Sequence, residues 1–245
     1  MRSRLSPTSP ARALLTLAFC VGALVAGFGA MPAQAADADA NAKITTRATS
    51  AGQVAAPPSR DVETLVFVRH GEKPPEGLGQ LNCKGLNRAL ALPAVIAAKY
   101  GKPAAIYAPD PGEQKKDNGH AYYYVRPLAT VEPTAIQFGM PVETPYGQSQ
   151  IDSLESTLVD KKWRGRAVLI AWEHREIERF VRRLVAAHGG NAADVPRWES
   201  ADFDSVYVVR IDWSGETPVA RFAHEREGLD GRADDCPCAQ LPATQ

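Results

Sequence analysis

The chain has 245 residues, with 28 Lys and Arg against 28 Asp and Glu, so its formal net charge is zero. That balance offers no long-range attraction to nucleic acid or to an anionic membrane, and any charge-driven chemistry has to be local. Hydrophobic residues at 44% and charged residues at 23% are those of an ordinary folded domain, which excludes collagen-like, coiled-coil and wholly disordered chains.

Arg2, Arg4 and Arg12 precede an apolar run of small residues from Ala13 to Ala30, and Ala33-Gln34-Ala35 has the small-x-small form of a cleavage site. Residues 1–35 are therefore expected to be an export signal, and the mature protein periplasmic or secreted. The alternative is a retained membrane anchor, against which stands the weak hydrophobicity of so many Ala and Gly residues. Cleavage takes three basic residues from 28, leaving 25 against 28 acidic ones and a net charge of −3. No nucleic-acid partner and no stable membrane association are expected of the mature chain. Residues 36–60 lack apolar periodicity and read as a flexible leader, because they bury too little to offset chain entropy. The folded domain is expected over 61–225, with a tail at 226–245.

Within that domain, Thr64 to Val68 is a nearly continuous apolar run, the pattern of a strand covered on both faces. It ends at Arg69-His70-Gly71. Leu86, Ala89 and Leu90 lie at helical spacing; Pro93 is expected to break that helix or start a second turn, and Gly101 to end the segment. Ala104 to Ala108 is a second buried strand. Pro109 to Tyr124 shows no period and reads as an exposed loop with an aromatic side. Pro127 is placed to begin a helix carrying Leu128, Val131 and Ile136.

Residues 148–159 read as helical, and Ala167 to Ala171 is a third buried strand, running into Trp172-Glu173-His174. Ile177, Phe180, Val181 and Leu184 then give a helix its apolar stripe. Residues 205–211 and 219–222 read as a terminal hairpin. Strand and helix alternate, so the expected fold is an α/β three-layer sandwich with a mostly parallel central sheet. Ligands bind such sheets beyond the carboxyl ends of the strands, where both histidine-bearing turns fall. The mature cysteines are Cys83, Cys236 and Cys238, so at most one disulfide forms within a monomer; Cys83 with Cys236 or Cys238 would tie the tail to the domain. Cys236, Cys238 and His224 lack a convincing fourth ligand, so no metal and no cofactor are expected.

Arg69-His70-Gly71 offers a cation, a nucleophile or base, and a residue that permits close backbone approach. His174 at another strand end, and Arg126 where a helix dipole also favours anions, extend that set. Leu65 to Lys73, Leu81-Asn-Cys-Lys-Gly85-Leu-Asn-Arg88-Ala-Leu90, Arg126-Pro-Leu-Ala-Thr130 and Ala167 to His174 come in the order of the signature segments of the histidine phosphatase superfamily. The chain resembles that phosphoglycerate mutase-like family over roughly 63–211.

The resemblance implies that His70 is a nucleophile forming a phosphohistidine, with Arg69, Arg126 and His174 gripping the phosphoryl oxygens. Two transfers through a neutral imidazole split a difficult hydrolysis, and planar cationic donors strengthen as charge grows on phosphorus-bound oxygen, so no metal is required. A leaving alkoxide also needs a proton. The chain departs from the family there, because Arg175 follows His174. Glu173 is the expected donor, with Asp110 and Glu155 as rivals. Arg88 reads as a surface or salt-bridging residue, Lys73 as a widening of the positive pocket or a solvated loop residue, and Tyr122-Tyr123-Tyr124 as loop packing or a substrate wall. The expected activity is hydrolysis of small phosphomonoesters. A non-catalytic phosphate-binding protein is the alternative from a different class, and a phosphomutase ranks below both.

Overall fold

The computed structural model describes residues 59–238. The expected export signal, nearly all of the expected leader and residues 239–245 lie outside the described residues. In chain order the elements are β1 (Val62–Arg69), α1 (Cys83–Tyr100), β2 (Ala105–Tyr107), β3 (Gln114–Asp117), β4 (His120–Tyr123), α2 (Arg126–Phe138), α3 (Glu155–Leu158), β5 (Ala167–Trp172), α4 (His174–Ala187), β6 (Ser205–Asp212) and β7 (Val219–Arg226). A 3-10 segment, Gln148–Leu154, leads into α3.

Five strands form one sheet in the order β2-β5-β1-β6-β7. β2, β5 and β1 pair in parallel, whereas β6 is antiparallel to both β1 and β7, so four strands share a direction and the sheet is mostly parallel. Alternation along β1 explains its unbroken apolar run. Leu65 and Phe67 enter the core beneath α4 and the 3-10 segment, while Val66 and Val68 enter the core beneath α1 and α2. All four are at most 1% exposed. The result is a three-layer α/β sandwich, as the alternation of elements predicts.

Asn82 caps α1 by accepting from the Gly85 amide, and Gly101, at φ 72°, ends it in a conformation that glycine adopts freely. Pro93 does not break this helix. Leu92 and Ile96, both essentially unexposed, hold the helix to the sheet on either side of the missing donor. Helical spacing also misplaces two side chains: Leu90 and Ile136 are 52% and 73% exposed, so the buried stripes run through Ala89 and Leu92 in α1 and through Val131 and Ala135 in α2.

Two further segments differ from the sequence reading. Residues 109–124 contain the β3–β4 hairpin, closed by Asn118 and Gly119, whose φ values of 49° and 85° suit the turn that matches strand twist. The domain also continues past residue 225: β7 runs to Arg226, Leu229 is buried, and the amides of Gly228 and Leu229 donate to Asp204. Cys83 pairs with Cys236, leaving Cys238 as an exposed thiol. No described helix is long and apolar enough to cross a membrane.

Candidate active site

The parallel register of β1 and β5 sets Arg69 opposite Trp172, and the His70 amide donates to the Trp172 carbonyl at 3.1 Å. His70 and the Glu173-His174 pair therefore leave the carboxyl edge of the sheet side by side. Close backbone packing underlies this edge. A Cβ on Gly71 would stand 2.9 Å from the Gly85 carbonyl oxygen, and one on Gly85 would stand 2.3 Å from that of Glu72. Only glycine lets the start of α1 sit against the turn that carries His70. The Gly71 amide is received by Thr130 Oγ1 of α2 at 2.9 Å.

His70 is 3% exposed, and its Nδ1 lies 2.7 Å from the Gly71 carbonyl oxygen. A carbonyl can only accept, so Nδ1 carries the proton and Nε2 keeps its lone pair. Burial, aided by Arg69 and Arg126, holds the imidazole pKa well below its usual value, so the ring is neutral at physiological pH.

Arg69 donates through Nη1 to the carbonyls of Ser200 and Asp202, both at 2.8 Å, and its guanidinium stacks 3.8 Å over the Phe203 ring. Burial brings its pKa down to about 10, which leaves it cationic. Arg126 donates to Asp117 Oδ2 at 2.6 Å and to the Gly77 carbonyl at 3.2 Å, with its guanidinium 4.7 Å from the Tyr124 ring centre. Tyr124 meets His70 edge-on at 6.0 Å, and Phe203 lies 6.1 Å from the same imidazole. Arg126, Tyr124, His70, Phe203 and Arg69 thus form one continuous series of contacts. The Nε atoms of both arginines and the Tyr124 hydroxyl are buried without a protein hydrogen-bond partner.

His174, 6% exposed, closes the other side. Its Nε2 lies 3.3 Å from Ser200 Oγ, and its Nδ1 lies 2.8 Å from Glu173 Oε1. Glu173 caps α4 by accepting from the amides of Arg175 and Glu176. Burial acts to raise its pKa, but His174, Lys115 and the Glu176 amide outweigh burial and bring it to about 2. A carboxylate so held carries no proton near neutrality, so the donor role expected of Glu173 does not fit its surroundings. The rivals fit no better: Asp110 is exposed and receives the Gly112 amide, and Glu155 is paired with Arg183.

Several residues of this edge are not evident from sequence. Asp117, on the hairpin, joins Arg126 to Lys73, the latter at 3.2 Å. Tyr124 is a buried wall of the site, whereas Tyr123 is 59% exposed. Asn118-Gly119 between short polar and aromatic runs is the signal that reveals this hairpin. Arg88 is no surface residue. Fully buried, it pairs with Glu72, Asp204, Glu227 and Asp230 at 2.7 to 3.2 Å, behind the Gly71 turn. An open groove of about 380 Å³ is lined by Ser200, Trp198, Glu178 and four arginines, of which Arg179, Arg182 and Arg197 are each paired with a carboxylate. Among the described residues, no cluster of three or more metal-ligating side chains forms.

No family model and no curated protein matches the chain. Solved structures with a similar chain path include a mycobacterial glucosyl-3-phosphoglycerate phosphatase in complex with inorganic phosphate, at 16% identity. That match covers 66% of this chain and 95% of that one, with a TM-score of 0.45. Phosphoglycerate mutase from Plasmodium falciparum matches at 16% identity over 65% of this chain and 89% of that one, with a TM-score of 0.41. Phosphoglycerate mutase from Bacillus anthracis matches at 12% identity over 68% and 94%, with a TM-score of 0.41. Identities this low concern the path of the backbone alone.

Proposed function

We propose that this chain is an exported phosphatase that hydrolyses small phosphomonoesters through a phosphohistidine on His70. The observation that carries the reading is a neutral imidazole, with its Nε2 lone pair free, held between two guanidinium groups whose buried Nε donors have no protein acceptor. Buried donors are ordinarily satisfied, so unpaired donors on the two arginines that share aromatic neighbours with the imidazole suit a ligand rich in acceptor oxygens. Nε2 forms a bond to phosphorus as the ester P–O bond breaks, and water then displaces the imidazole from phosphorus. Arg69, Arg126 and the Tyr124 hydroxyl face the charge that grows on the phosphoryl oxygens. A periplasmic or secreted address accords with the basic, apolar and Ala-x-Ala order of residues 1–35 and with the Cys83–Cys236 disulfide.

One observation favours a second reading. Glu173 is ionised, and a pocket without a proton donor would bind phosphate and not turn it over. Para-nitrophenyl phosphate separates the two, because its leaving group departs without a proton. The purified protein should release phosphate from it with chelator present, and an alkali-stable, acid-labile phosphoenzyme should be trapped on quenching. His70→Ala should lose both. A wild-type protein that binds phosphate yet turns over no better than His70→Ala would establish the binding protein instead.

A further inference from the structure

The carboxylates nearest the site hold no proton to give, so the leaving oxygen has to be served by another group. The β3–β4 hairpin supplies one. Residues two apart on a strand share a face, so Lys115 lies on the same face of β3 as Asp117, which anchors the hairpin to Arg126 and Lys73. Lys115 is half-buried, and its Nζ lies 5.0 Å from the centre of the Tyr124 ring. That ring is the common neighbour of Lys115, Arg126 and His70. Among the described residues the Lys115 side chain makes no hydrogen bond and no ion pair, unlike that of Lys73, which is tied to Asp117.

We propose that Lys115 is the proton donor to the leaving oxygen, a reading that rests on the phosphohistidine function above. As Nε2 of His70 bonds to phosphorus and the P–O bond breaks, an Nζ proton passes to the departing alkoxide, giving the free alcohol and a neutral amine. Water then attacks the phosphohistidine. The N–P electron pair returns to His70, the proton of the water passes to Nζ, and inorganic phosphate leaves with the ammonium restored. The same group thus serves as acid and then as base, as reversible proton transfer requires.

The surroundings suit the task. Facing Lys115 are Glu173 at the start of α4, Glu176 in its first turn, Asp117 on its own strand, and Arg126 of α2. Burial lowers the lysine pKa, Arg126 assists, and Glu173 opposes, so the ammonium is a stronger acid than on an open surface.

The test compares wild type, Lys115→Met and Lys115→Arg on two substrates. One is para-nitrophenyl phosphate and the other an alkyl phosphate such as glycerol phosphate, whose alkoxide departs poorly unprotonated. The quantity read is kcat/KM, which reports on events up to the first irreversible step. Lys115→Met removes a charge that attracts either substrate, and beyond that shared loss it should lose roughly 10²- to 10⁴-fold more on the alkyl phosphate than on the aryl one. Lys115→Arg keeps the charge but cannot release a proton, so it should resemble Lys115→Met on the alkyl phosphate. The alkaline limb of the wild-type profile on that substrate should vanish in Lys115→Met. Equal losses on both substrates, full rescue by arginine, or no loss on either would overturn the proposal while leaving His70 as the nucleophile. A wild-type protein inert toward para-nitrophenyl phosphate would overturn the phosphatase reading and this proposal together.

Discussion

Arg88→Met removes a guanidinium that is fully buried and bonded to four carboxylates. The side chain is nearly replaced in volume, so the loss is one of charge and hydrogen bonds, with little cavity formed. Asp230 is largely exposed and regains water, and Asp204 keeps the amides of Gly228 and Leu229. Glu227 and Glu72 have no such replacement: the Glu227 side chain is 0% exposed, and Glu72 depends on Arg88 for both side-chain bonds. Removing one partner of a buried ion pair costs about 3–5 kcal/mol. For a domain of this size that corresponds to roughly 6–20 °C in Tm. Burial already pushes Glu227 up to about 8 and loss of Arg88 raises it further, while Glu72 and Asp204, now held below their usual values in part by Arg88, lose that support and rise as well. Groups with raised folded pKa values lose stability as pH rises, so the deficit should be larger at pH 8 than at pH 5, where the carboxyls take up protons. Thermal melts at the two pH values measure it. A variant melting within about 2 °C of wild type at pH 8, or a deficit independent of pH, would refute the view that this clasp holds the Gly71 turn in place.

Four other outcomes are expected. Gly85→Ala should cost more than Gly71→Ala, since its Cβ meets the Glu72 backbone at 2.3 Å against 2.9 Å for the other; overpacking costs typically about 1–3 kcal/mol, and urea titrations of both variants read it. Because the His70 pKa is held well below its usual value, the neutral nucleophile persists on acidification, and the acid limb of kcat/KM assigned to it should fall below pH 6.5. Burial raises Glu63 to about 7, so wild type should lose stability between about pH 4.5 and 7. Glu63→Gln keeps an acceptor for Trp213 and should gain on the order of 2 kcal/mol at pH 8 but little at pH 5, seen as a shift in urea midpoint. Reduction of Cys83–Cys236, whose residues are 153 apart in sequence, should lower stability by about 2–5 kcal/mol and leave the initial rate unchanged at low temperature.

The sheet was legible because its central strands are buried on both faces, and unbroken runs such as Leu65 to Val68 have few other uses. The strand-end positions of His70 and His174 followed from where those runs stop. Residues drawn from distant segments left weaker marks. Arg88 reads as a surface or salt-bridging residue, and it is salt-bridged but buried, because the return of residues 227–230 after β7 adds Glu227 and Asp230 to Glu72 and Asp204 around it. Pro93 carries a strong breaker signal, which packing of Leu92 and Ile96 overrides. Glu173 next to His174 suggests an acid by proximity, whereas that same histidine, with Lys115 and the helix-capping amide of Glu176, holds it as an anion, and the cap depends on where α4 begins. The hairpin strands are four residues each with little apolar alternation, so Asn118-Gly119 alone announces them.

The charge of the site also depends on that hairpin. Arg69 is held by carbonyl oxygens, which orient a guanidinium without cancelling its charge, whereas Arg126 is held by a carboxylate, which cancels much of it. Asp117 therefore positions Arg126 and reduces its pull on an anion, and Lys73 and Lys115 on either side restore that pull. Arg69, Arg126, Lys73 and Lys115 set against Asp117, Glu173 and Glu176 leave a surplus of one positive charge, with the histidines left aside. Burial holds the His70 imidazole neutral and the same positive field assists it, so the conditions that attract the substrate also help to keep its nucleophile unprotonated. Replacing Asp117 by Asn would raise the surplus and release Arg126 from its anchor. It should therefore tighten phosphate binding while lowering kcat, an opposition that simple loss of folding does not produce.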